Sequence, residues 1–483
     1  VSTLEALFLG KRDLFAGLAI EEGWNWQEYP VLRFDFTRIS SDNAVELNQS
    51  LQIILDNFAE KYGITLAPSG LALRFGLLVE KIFTKTGKKV VILVDEYDKP
   101  INEHLDNLEI AEANRTVLGN FYGSLKGSGD HLKLLFITGV SKFAKVSIFS
   151  KLNNVKDLTL NPDYNDICGF TQAELEANFP ENIEAAAQKL GMTYDALLRE
   201  LKERYDGYAW TGAEKVYNPF SILNSLAEAK LKNFWSMSGS PTFLIKLLQQ
   251  SPIQTFDWVN VRMSESELEP SDLANMPLPA ILFQTGYLTV SAEALSIGGM
   301  IYTLNFPNTE VRETFLAKLL PAYAATDSAK AIPDIIDLRN HLIRGDTDAA
   351  TNILKRYVHN IPGVVQLPDE HYYQTIAYIA LSLAGLDISL ESWKNTGILD
   401  GVLELPDMIY LMEFKFAKTG KPETQAKRAL QHILEKNYPS AWKDKEKKLR
   451  LWGLGVANRQ LAGVCLEMKP GDDVAEKKKK MKG

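Results

Sequence analysis

The sequence predicts an α/β protein built around two separate sheets. Near the amino terminus, residues 88–96 (KKVVILVDE) include five consecutive apolar residues, as expected of a strand buried on both faces of a parallel sheet. Amphipathic helical segments alternate with this strand and with a second apolar strand at 132–138. Near the carboxyl terminus, residues 398–416 contain two apolar runs on either side of Pro406-Asp407, which predicts a β-hairpin.

The spacing of apolar residues predicts the other elements. Helices are expected at 1–18, 43–62, 71–86 and 111–127, through most of 165–248, and at 306–323, 370–386 and 423–438; strands are expected at 30–36, 288–292, 300–304 and 449–456. Residues 326–332 are polar and precede Pro333, which predicts a linker. We therefore expect domains at 1–163, 164–331 and 332–470, followed by a basic disordered tail at 471–483.

The composition is that of an ordinary globular protein. The 483 residues are 46% hydrophobic and 24% charged, with a net charge of −8. The two cysteines cannot form a disulfide framework, and they suit a reducing compartment. Neither the cysteines nor the six histidines have the spacing of metal ligands. Because no apolar run reaches about 18 residues and no signal peptide is evident, we expect a cytoplasmic protein without a membrane partner.

The charge is distributed unevenly along the chain. Residues 414–459 contain 12 Lys or Arg against 4 Asp or Glu, a local balance of +8. A region of this kind is suited to a phosphate backbone. The alternative is a solvated helix face, particularly at 443–450 (KDKEKKLR).

The predicted hairpin brings three charged side chains together. If Pro406 and Asp407 form the loop, opposed residues have numbers that sum to 813, and Asp400 lies across from Glu413 with β-carbons about 5 Å apart. Lys415 lies on the same face as Glu413, one step along the strand. Two adjacent carboxylates repel unless a cation lies between them, and Mg²⁺ is suited to such a pair. The alternative is a surface hairpin with a cross-strand acidic pair and a solvated lysine.

This pattern, D-x₁₂-E-x-K on a hairpin, resembles the PD-(D/E)xK nuclease superfamily, and it implies a restriction-endonuclease-like domain. Asp400, Glu413 and Lys415 match the motif, and Gln431 matches a Gln often found on the helix that follows. The resemblance implies Mg²⁺ or Mn²⁺ on Asp400 and Glu413, with Lys415 assisting the nucleophile and Gln431 orienting it. Gln431 lies beside the apolar stripe of its predicted helix, where it would face the strands, and the alternative is an exposed helix residue. Glu370 is either a further acid or a helix-start residue favoured by the macrodipole. The chain departs from the superfamily at 397–398, where Gly-Ile replaces a frequent Gly-Arg.

The first apolar strand ends in Asp95 and Glu96, at the edge where open α/β sheets bind ligands. This ending is similar to a Walker B motif, although many strands end in acids. The strings LVDEYDKP and ITGVSKFAKVSIFSKLNN, followed by YNDICGFT, RYDGY, VYNPFSIL and FWSMSGSP, resemble the bacterial AAA-ATPase-like family, whose members commonly carry a carboxyl-terminal PD-(D/E)xK domain. The resemblance implies a P-loop-type core with a helical, winged-helix-like lid, and nucleotide-site roles for Asp95, Glu96 and either Thr138 or Ser141.

The phosphate-binding loop of such a core is missing from the sequence. Neither Gly10-Lys11-Arg12 nor Gly87-Lys88-Lys89 continues into the Ser or Thr that G-x-x-x-x-G-K-[ST] requires. In the family this loop precedes a segment like residues 2–15, so we expect Val1 to lie just past it. We expect this polypeptide to bind ATP weakly or not at all, and ATP with Mg²⁺ to bind only a chain that carries the loop.

Two functions fit these observations. In the first, a metal-dependent nuclease acts on nucleic acid, DNA rather than RNA, under the control of an ATPase-like module with a degenerate or truncated site. In the second, the nuclease-like fold is a binding platform, and the ATPase-like part is a nucleotide-controlled switch without cleavage. An intact set of two acids and a lysine favours the first. Oligomeric assembly is compatible with both.

Overall fold

The structure is a computed structural model. It describes every residue except 106, 141–147, 149–154, 212–213, 236–259, 269–276, 325–327, 360–369, 387, 395–396, 443–444, 471, 473, 475–476 and 479–483. The helices predicted at 236–248 lie outside the described residues, as does most of the tail predicted at 471–483.

The described α-helices are α1 (Ser2–Phe8), α2 (Ile20–Gly23), α3 (Ala44–Lys61), α4 (Leu71–Thr86), α5 (Lys99–Asn102), α6 (Leu108–Gly123), α7 (Gln172–Asn178), α8 (Pro180–Leu190), α9 (Tyr194–Tyr205), α10 (Pro219–Glu228), α11 (Glu265–Leu268), α12 (Leu278–Gln284), α13 (Thr309–Ala324), α14 (Ser328–Arg344), α15 (Thr347–His359), α16 (Glu370–Leu383) and α17 (Pro422–Glu435). The strands are β1 (Val31–Asp35), β2 (Val90–Asp95), β3 (Leu132–Ile137), β4 (Val261–Ser264), β5 (Thr289–Ser296), β6 (Gly299–Asn305), β7 (Ile388–Lys394), β8 (Gly397–Glu404), β9 (Met408–Ala417), β10 (Lys448–Ala457) and β11 (Gln460–Met468).

The chain forms two compact units, both discontinuous in sequence. The first unit comprises Val1–Cys168, Tyr208–Lys215 and Val261–Asn305, and the second comprises Gly169–Gly207, Val216–Asn260 and Phe306–Gly483. The first unit contains a three-stranded parallel sheet and a three-stranded antiparallel sheet, and the second contains a five-stranded mixed sheet. The mixed α/β class is therefore confirmed, with a parallel sheet near the amino terminus. The predicted boundaries at 163, 331 and 470 stay predictions.

The parallel sheet has the strand order β1-β2-β3, and its central strand is buried as the apolar run predicts. Helices α3, α4 and α6 enclose aromatic side chains against it, with Phe75 stacked on Phe121 at 4.4 Å and Phe34 edge-on to both rings. Asn43 caps α3 by accepting from the backbone N–H groups of Val45 and Glu46, and α4 ends at Gly87 in the left-handed conformation. These caps explain why the predicted limits of both helices agree with the structure.

The helix predicted at 1–18 is wrong in extent. The α-helix ends at Phe8, Gly10 has a φ of +70°, and a 3₁₀ helix follows at Arg12–Phe15. A β-carbon at Gly10 would crowd the side chain of Glu28 and the carbonyl of Trp26. The chain therefore turns at this glycine, although the apolar spacing continues across it.

The five-stranded sheet of the second unit has the order β11-β10-β9-β8-β7. Strands β9 and β10 are parallel, and the other neighbouring pairs are antiparallel. The strand predicted at 449–456 is confirmed as β10, and β11, which was not predicted, continues the sheet on its far side. The turn between these strands is made by Asn458 and Arg459, with φ of 49° and 62°, so it reverses the chain in two residues without a glycine.

The linker predicted at 326–332 is also wrong from Ser328 onward, because α14 begins there and runs through Pro333. The helix buries Ile335, Leu338 and Leu342 at helical spacing. Packing of this apolar stripe offsets the backbone hydrogen bond that a proline inside a helix removes.

The part of the chain that the structure describes has no helix both long enough and apolar enough to cross a lipid bilayer.

Candidate active site

The hairpin of β8 and β9 has the register that the sequence predicts. The backbone N–H of Leu405 donates to the carbonyl of Met408 at 2.8 Å across Pro406-Asp407. The paired residues run from Glu404 and Ile409 to Gly401 and Met412, and each pair sums to 813. Asp400 lies one position beyond the last of these pairs.

The Asp400 carboxylate turns toward the opposite strand. Its Oδ2 accepts a hydrogen bond from the backbone N–H of Phe414 at 2.7 Å, and Phe414 lies between Glu413 and Lys415 in sequence. This contact places the Asp400 carboxylate against the β9 segment that carries the other two predicted site residues.

Glu413 and Lys415 form an ion pair on β9. Lys415 Nζ donates to Glu413 Oε1 at 2.8 Å, and the exposed fractions of the two side chains are 33% and 3%. The lysine thus keeps a solvent-accessible ammonium while the glutamate is buried. The opposite face of β9 is covered by apolar packing, where Phe416 stacks on Tyr373 of α16 with ring centroids 5.5 Å apart. Side-chain alternation therefore separates the charged site from that face.

The helix after the hairpin, α17, packs across β9 and β10. Pro422 occupies its first turn, and its buried stripe consists of Ala426, Ala429, Leu430, Ile433 and Leu434. Glycines of β10 allow the close approach, because a β-carbon at Gly453 or Gly455 would overlap the backbone of this helix.

Gln431 is not brought to the acids. Its side chain is exposed, and its amide donates to Glu435 Oε1 at 2.6 Å on the same helix. The prediction that it faces the strands is wrong by one residue, since His432 makes the contact instead. His432 Nδ1 lies 2.7 Å from Glu413 Oε1.

The electrostatics of His432 and Tyr438 indicate that the charged groups converge. Burial, and then the charges of Lys415 and Lys436, lower the pKa of His432, while Asp400 opposes this shift. Burial, and then the charges of Glu413 and Asp400, raise the pKa of Tyr438. Neither residue was predicted from the sequence to belong to the site. His432 follows Gln425 by two turns on one side of α17, but the burial of Gln425 is seen only in the structure.

The site offers a donor set that suits a hard divalent cation. Within the described ranges, no three His, Cys, Asp or Glu side chains are gathered closely enough to hold a metal ion. Mg²⁺, however, needs only one or two carboxylates when water and phosphate oxygens complete its shell. Asp400 and Glu413 fit that requirement. Glu370 is the first residue of α16, and its side chain lies outside the described part.

A second acidic cluster lies at the carboxyl end of the parallel sheet. Thr138 Oγ1 donates to Asp95 Oδ1 at 2.9 Å, so the structure brings these two predicted residues together. Arg33 Nη2 lies 3.8 Å from Asp95 Oδ2, and its other terminal nitrogen is 3.0 Å from Glu5 Oε2. Ser141 lies outside the described residues.

Glu96 follows Asp95 in the left-handed conformation, with a φ of 53°. Burial, and then the charges of Asp98 and Asp95, raise the pKa of Glu96. Asp98, which sequence analysis did not single out, is 1% exposed and accepts from Asn102 Nδ2 at 2.7 Å and from the Val140 backbone N–H at 3.1 Å. It thus joins the segment after β2 to the segment after β3.

Comparison with known proteins places both sites in recognised regions. Residues 1–149 match the family described as predicted AAA-ATPase, and residues 368–463 match the PD-(D/E)XK nuclease superfamily. The first range contains Asp95, Glu96, Thr138 and Ser141, and the second contains Asp400, Glu413, Lys415 and Gln431. The chain therefore joins an AAA-ATPase-like region to a PD-(D/E)XK nuclease superfamily domain.

A relative is similar along almost the whole chain. A protein of Azotobacter chroococcum mcd 1, described as an uncharacterized protein in the vnfD 5' region, is 31% identical over 476 residues, which cover 97% of this chain and 89% of that protein. The chain belongs to the family of predicted AAA-ATPase-like proteins with a PD-(D/E)XK nuclease superfamily domain. No solved structure matches it.

Proposed function

We propose that this protein is a metal-dependent nuclease that hydrolyses phosphodiester bonds of nucleic acid. The observation that carries the proposal is the convergence of Asp400, Glu413 and Lys415 on one face of the β8–β9 hairpin. Asp400 contacts the backbone of Phe414, and Lys415 contacts Glu413, so the three groups share one site. A solvated surface hairpin would not bury the glutamate to 2% exposure.

Asp400 and Glu413 would hold Mg²⁺ or Mn²⁺ through their carboxylate oxygens. Such an ion, when bound, stabilises negative charge on a phosphoryl oxygen and makes a bound water more acidic. The ammonium of Lys415 would stabilise the charge that develops as water adds to phosphorus and the P–O ester bond breaks. Its partly exposed side chain is compatible with contact to a substrate phosphate.

The charge around the site supports a nucleic-acid substrate. Residues 414–459 carry a balance of +8, from 12 basic and 4 acidic residues, although the whole chain carries −8. Lys418, Lys421 and Lys427 are exposed on or just before α17. Their side chains would contact phosphate groups and hold the nucleic-acid backbone near the β8–β9 hairpin. We propose DNA as the substrate, with RNA as the alternative to be compared.

The AAA-ATPase-like region would control this activity in a chain that carries a phosphate-binding loop. Asp95 would hold the Mg²⁺ of a bound nucleotide, and Thr138 already contacts it across β2 and β3. The buried Asp98 links the ends of the two strands. A conformational change at the nucleotide site would therefore be transmitted to the segment after β3.

A cleavage assay tests the proposed function. Plasmid, single-stranded DNA and RNA are incubated with Mg²⁺, with Mn²⁺ or with EDTA, using wild type, Asp400→Asn and Lys415→Ala. We expect cleavage that requires metal and falls by on the order of 100-fold or more in either variant. Asp407→Asn is the matched control, because Asp407 is an exposed acid at the turn of the same hairpin. Equal inactivity of all proteins, or equal activity of all proteins, contradicts the proposal.

A further inference from the structure

We propose that His432 is a positioning residue that holds the Glu413 carboxylate in its metal-binding orientation from α17. This inference rests on the proposed function, because it assigns a role within the same metal site. The observation that supports it is a hydrogen-bond contact between α17 and β9. A helix side chain bonds the buried acid of a strand, at a position one residue away from the Gln that the motif predicts.

The contact fixes which atom carries the hydrogen. A carboxylate oxygen only accepts hydrogen bonds, so Nδ1 of His432 is the donor to Glu413 Oε1 at 2.7 Å. Lys415 Nζ donates to the same oxygen at 2.8 Å. Two donors therefore meet one carboxylate oxygen, one from the helix and one from the strand, and together they restrict rotation of the carboxylate plane.

The two donors differ in how firmly they are held. Lys415 is a long, flexible side chain on the edge of the site, and its proposed role in catalysis directs its ammonium toward the substrate. His432 has two rotatable bonds, and its ring lies edge-on to Tyr438 with ring centroids 6.0 Å apart. Tyr438 is 2% exposed, so it forms a fixed wall for the imidazole. His432 is thus the donor that remains on Glu413 when Lys415 moves.

The backbone under His432 is also held in place. The helix that carries His432 touches β10 at two glycines, where even a methyl group would overlap helix backbone atoms. Residues Leu430, Ile433 and Leu434 on either side of His432 are buried in the core. Rigid support of this kind is what a residue needs in order to orient a metal ligand.

The expected size of the effect follows from outer-shell contacts in metal sites in general. Removing a hydrogen-bond partner of a metal-binding side chain weakens metal affinity by about 10–100-fold. An asparagine at the same position places its amide nitrogen near the location of the imidazole Nδ1. His432→Asn should therefore keep the donor, whereas His432→Leu and His432→Ala should lose it.

The test measures Mn²⁺ affinity by electron paramagnetic resonance of the free ion, with the full chain and without substrate. We expect His432→Leu and His432→Ala to bind Mn²⁺ about 10–100-fold more weakly than wild type, and His432→Asn to bind within about threefold. Having two apolar variants keeps the test decisive if one of them does not fold, which circular dichroism reports. His359→Leu is the control, since His359 is an exposed histidine at the end of α15. Wild-type affinity in a folded apolar variant, or an asparagine variant as weak as the leucine variant, overturns the inference.

A second readout separates positioning from a general structural role. In the Mn²⁺ dependence of cleavage, His432→Leu should raise the half-saturating metal concentration about 10–100-fold while keeping the saturated rate within about threefold. An unchanged half-saturating concentration with a lower saturated rate contradicts positioning of the metal ligand.

The variant Glu413→Gln distinguishes failure of the inference from failure of the proposed function. If wild type binds Mn²⁺, Glu413→Gln does not, and His432→Leu binds as wild type does, then only the role of His432 is wrong. If wild type does not bind Mn²⁺, or if Glu413→Gln binds it equally well, the proposed metal site is wrong and the role of His432 fails with it.

Discussion

Two acidic side chains in this protein lie in contrasting surroundings. Glu413 is buried, but Lys415 and His432 both contact its carboxylate, which offsets the cost of removing a charge from water. Glu96 lies near Asp95 and Asp98, and together with burial these two acids raise its pKa. The first arrangement stabilises a carboxylate, and the second destabilises one.

The surroundings of Glu96 predict how stability depends on pH. Because its pKa is raised above the ordinary value of 4.5, the folded state binds a proton more tightly than the unfolded state. Ionisation of Glu96 therefore costs stability as the pH rises from that value through the raised one. Glu96→Gln should raise Tm by roughly one to a few degrees at about pH 7 and leave it unchanged at about pH 4.

Differential scanning calorimetry at both pH values checks this expectation. Glu80→Gln is the matched control, since Glu80 is an exposed glutamate on α4 of the same unit, and its substitution should leave Tm unchanged. A fall in Tm at neutral pH in Glu96→Gln would mean that the ionised carboxylate makes favourable contacts, contrary to the raised pKa.

The acids and the lysine of the candidate site were predictable at the residue scale, because a two-residue turn determines which residues of the two strands lie opposite each other. Pro406-Asp407 sets the register, and strand alternation assigns the faces. The helix contact was not predictable to one residue. Gln431 and His432 differ by about 100° around α17, and the apolar stripe between 426 and 434 is too broad to distinguish them.

At the scale of elements, the contact between α17 and β10 determines where the helix side chains lie. The G-x-G pattern at Gly453 and Gly455 carries no obvious signal in the sequence, yet both glycines face helix backbone. Gly455→Ala should destabilise the protein by about 1–3 kcal/mol, because the added methyl group overlaps Ala426 and forces the helix away. It should also weaken Mn²⁺ binding, because His432 would move with the helix.

Urea denaturation followed by circular dichroism measures the first effect, and a Mn²⁺ titration measures the second. Gly127→Ala provides the control, because a β-carbon at Gly127 meets no atom within 4 Å. An unchanged denaturation midpoint in Gly455→Ala would show that the helix and strand are less closely packed than the structure indicates.

Most helices and strands among the described residues were predictable because their apolar periodicity agrees with their caps and turns. The predicted helix limits were wrong where a single residue outweighs the apolar periodicity, or where tertiary packing outweighs the preference of a single residue. Gly10 ends a helix despite continuing apolar spacing, and Pro333 does not end one because Leu338 and Leu342 are packed beyond it. Neither outcome is encoded in local preference, since both depend on contacts with distant parts of the chain.

At the scale of the whole molecule, the overall charge and the local charge have opposite signs: the chain carries −8, and residues 414–459 carry +8. If that segment binds nucleic acid, affinity should fall steeply with salt, because bound phosphates release their counterions. Replacing Lys418, Lys421 and Lys427 together with alanine should reduce the slope of log K against log salt by about 2–3.

Fluorescence anisotropy with a labelled duplex, measured over a series of salt concentrations, gives this slope. A triple alanine variant of Lys189, Lys202 and Lys215 changes the net charge equally, and these lysines are exposed outside the basic segment. The same loss of slope in both triple variants would mean that binding follows net charge and that the segment has no special role.

In the proposed site, two carboxylates from one hairpin hold a single divalent ion. The most direct measurement is anomalous X-ray scattering from a crystal soaked in Mn²⁺. We expect an anomalous peak within coordination distance, about 2.0–2.1 Å, of a carboxylate oxygen of Asp400 and of one of Glu413. A fully occupied peak elsewhere, with none between these two side chains, would contradict it.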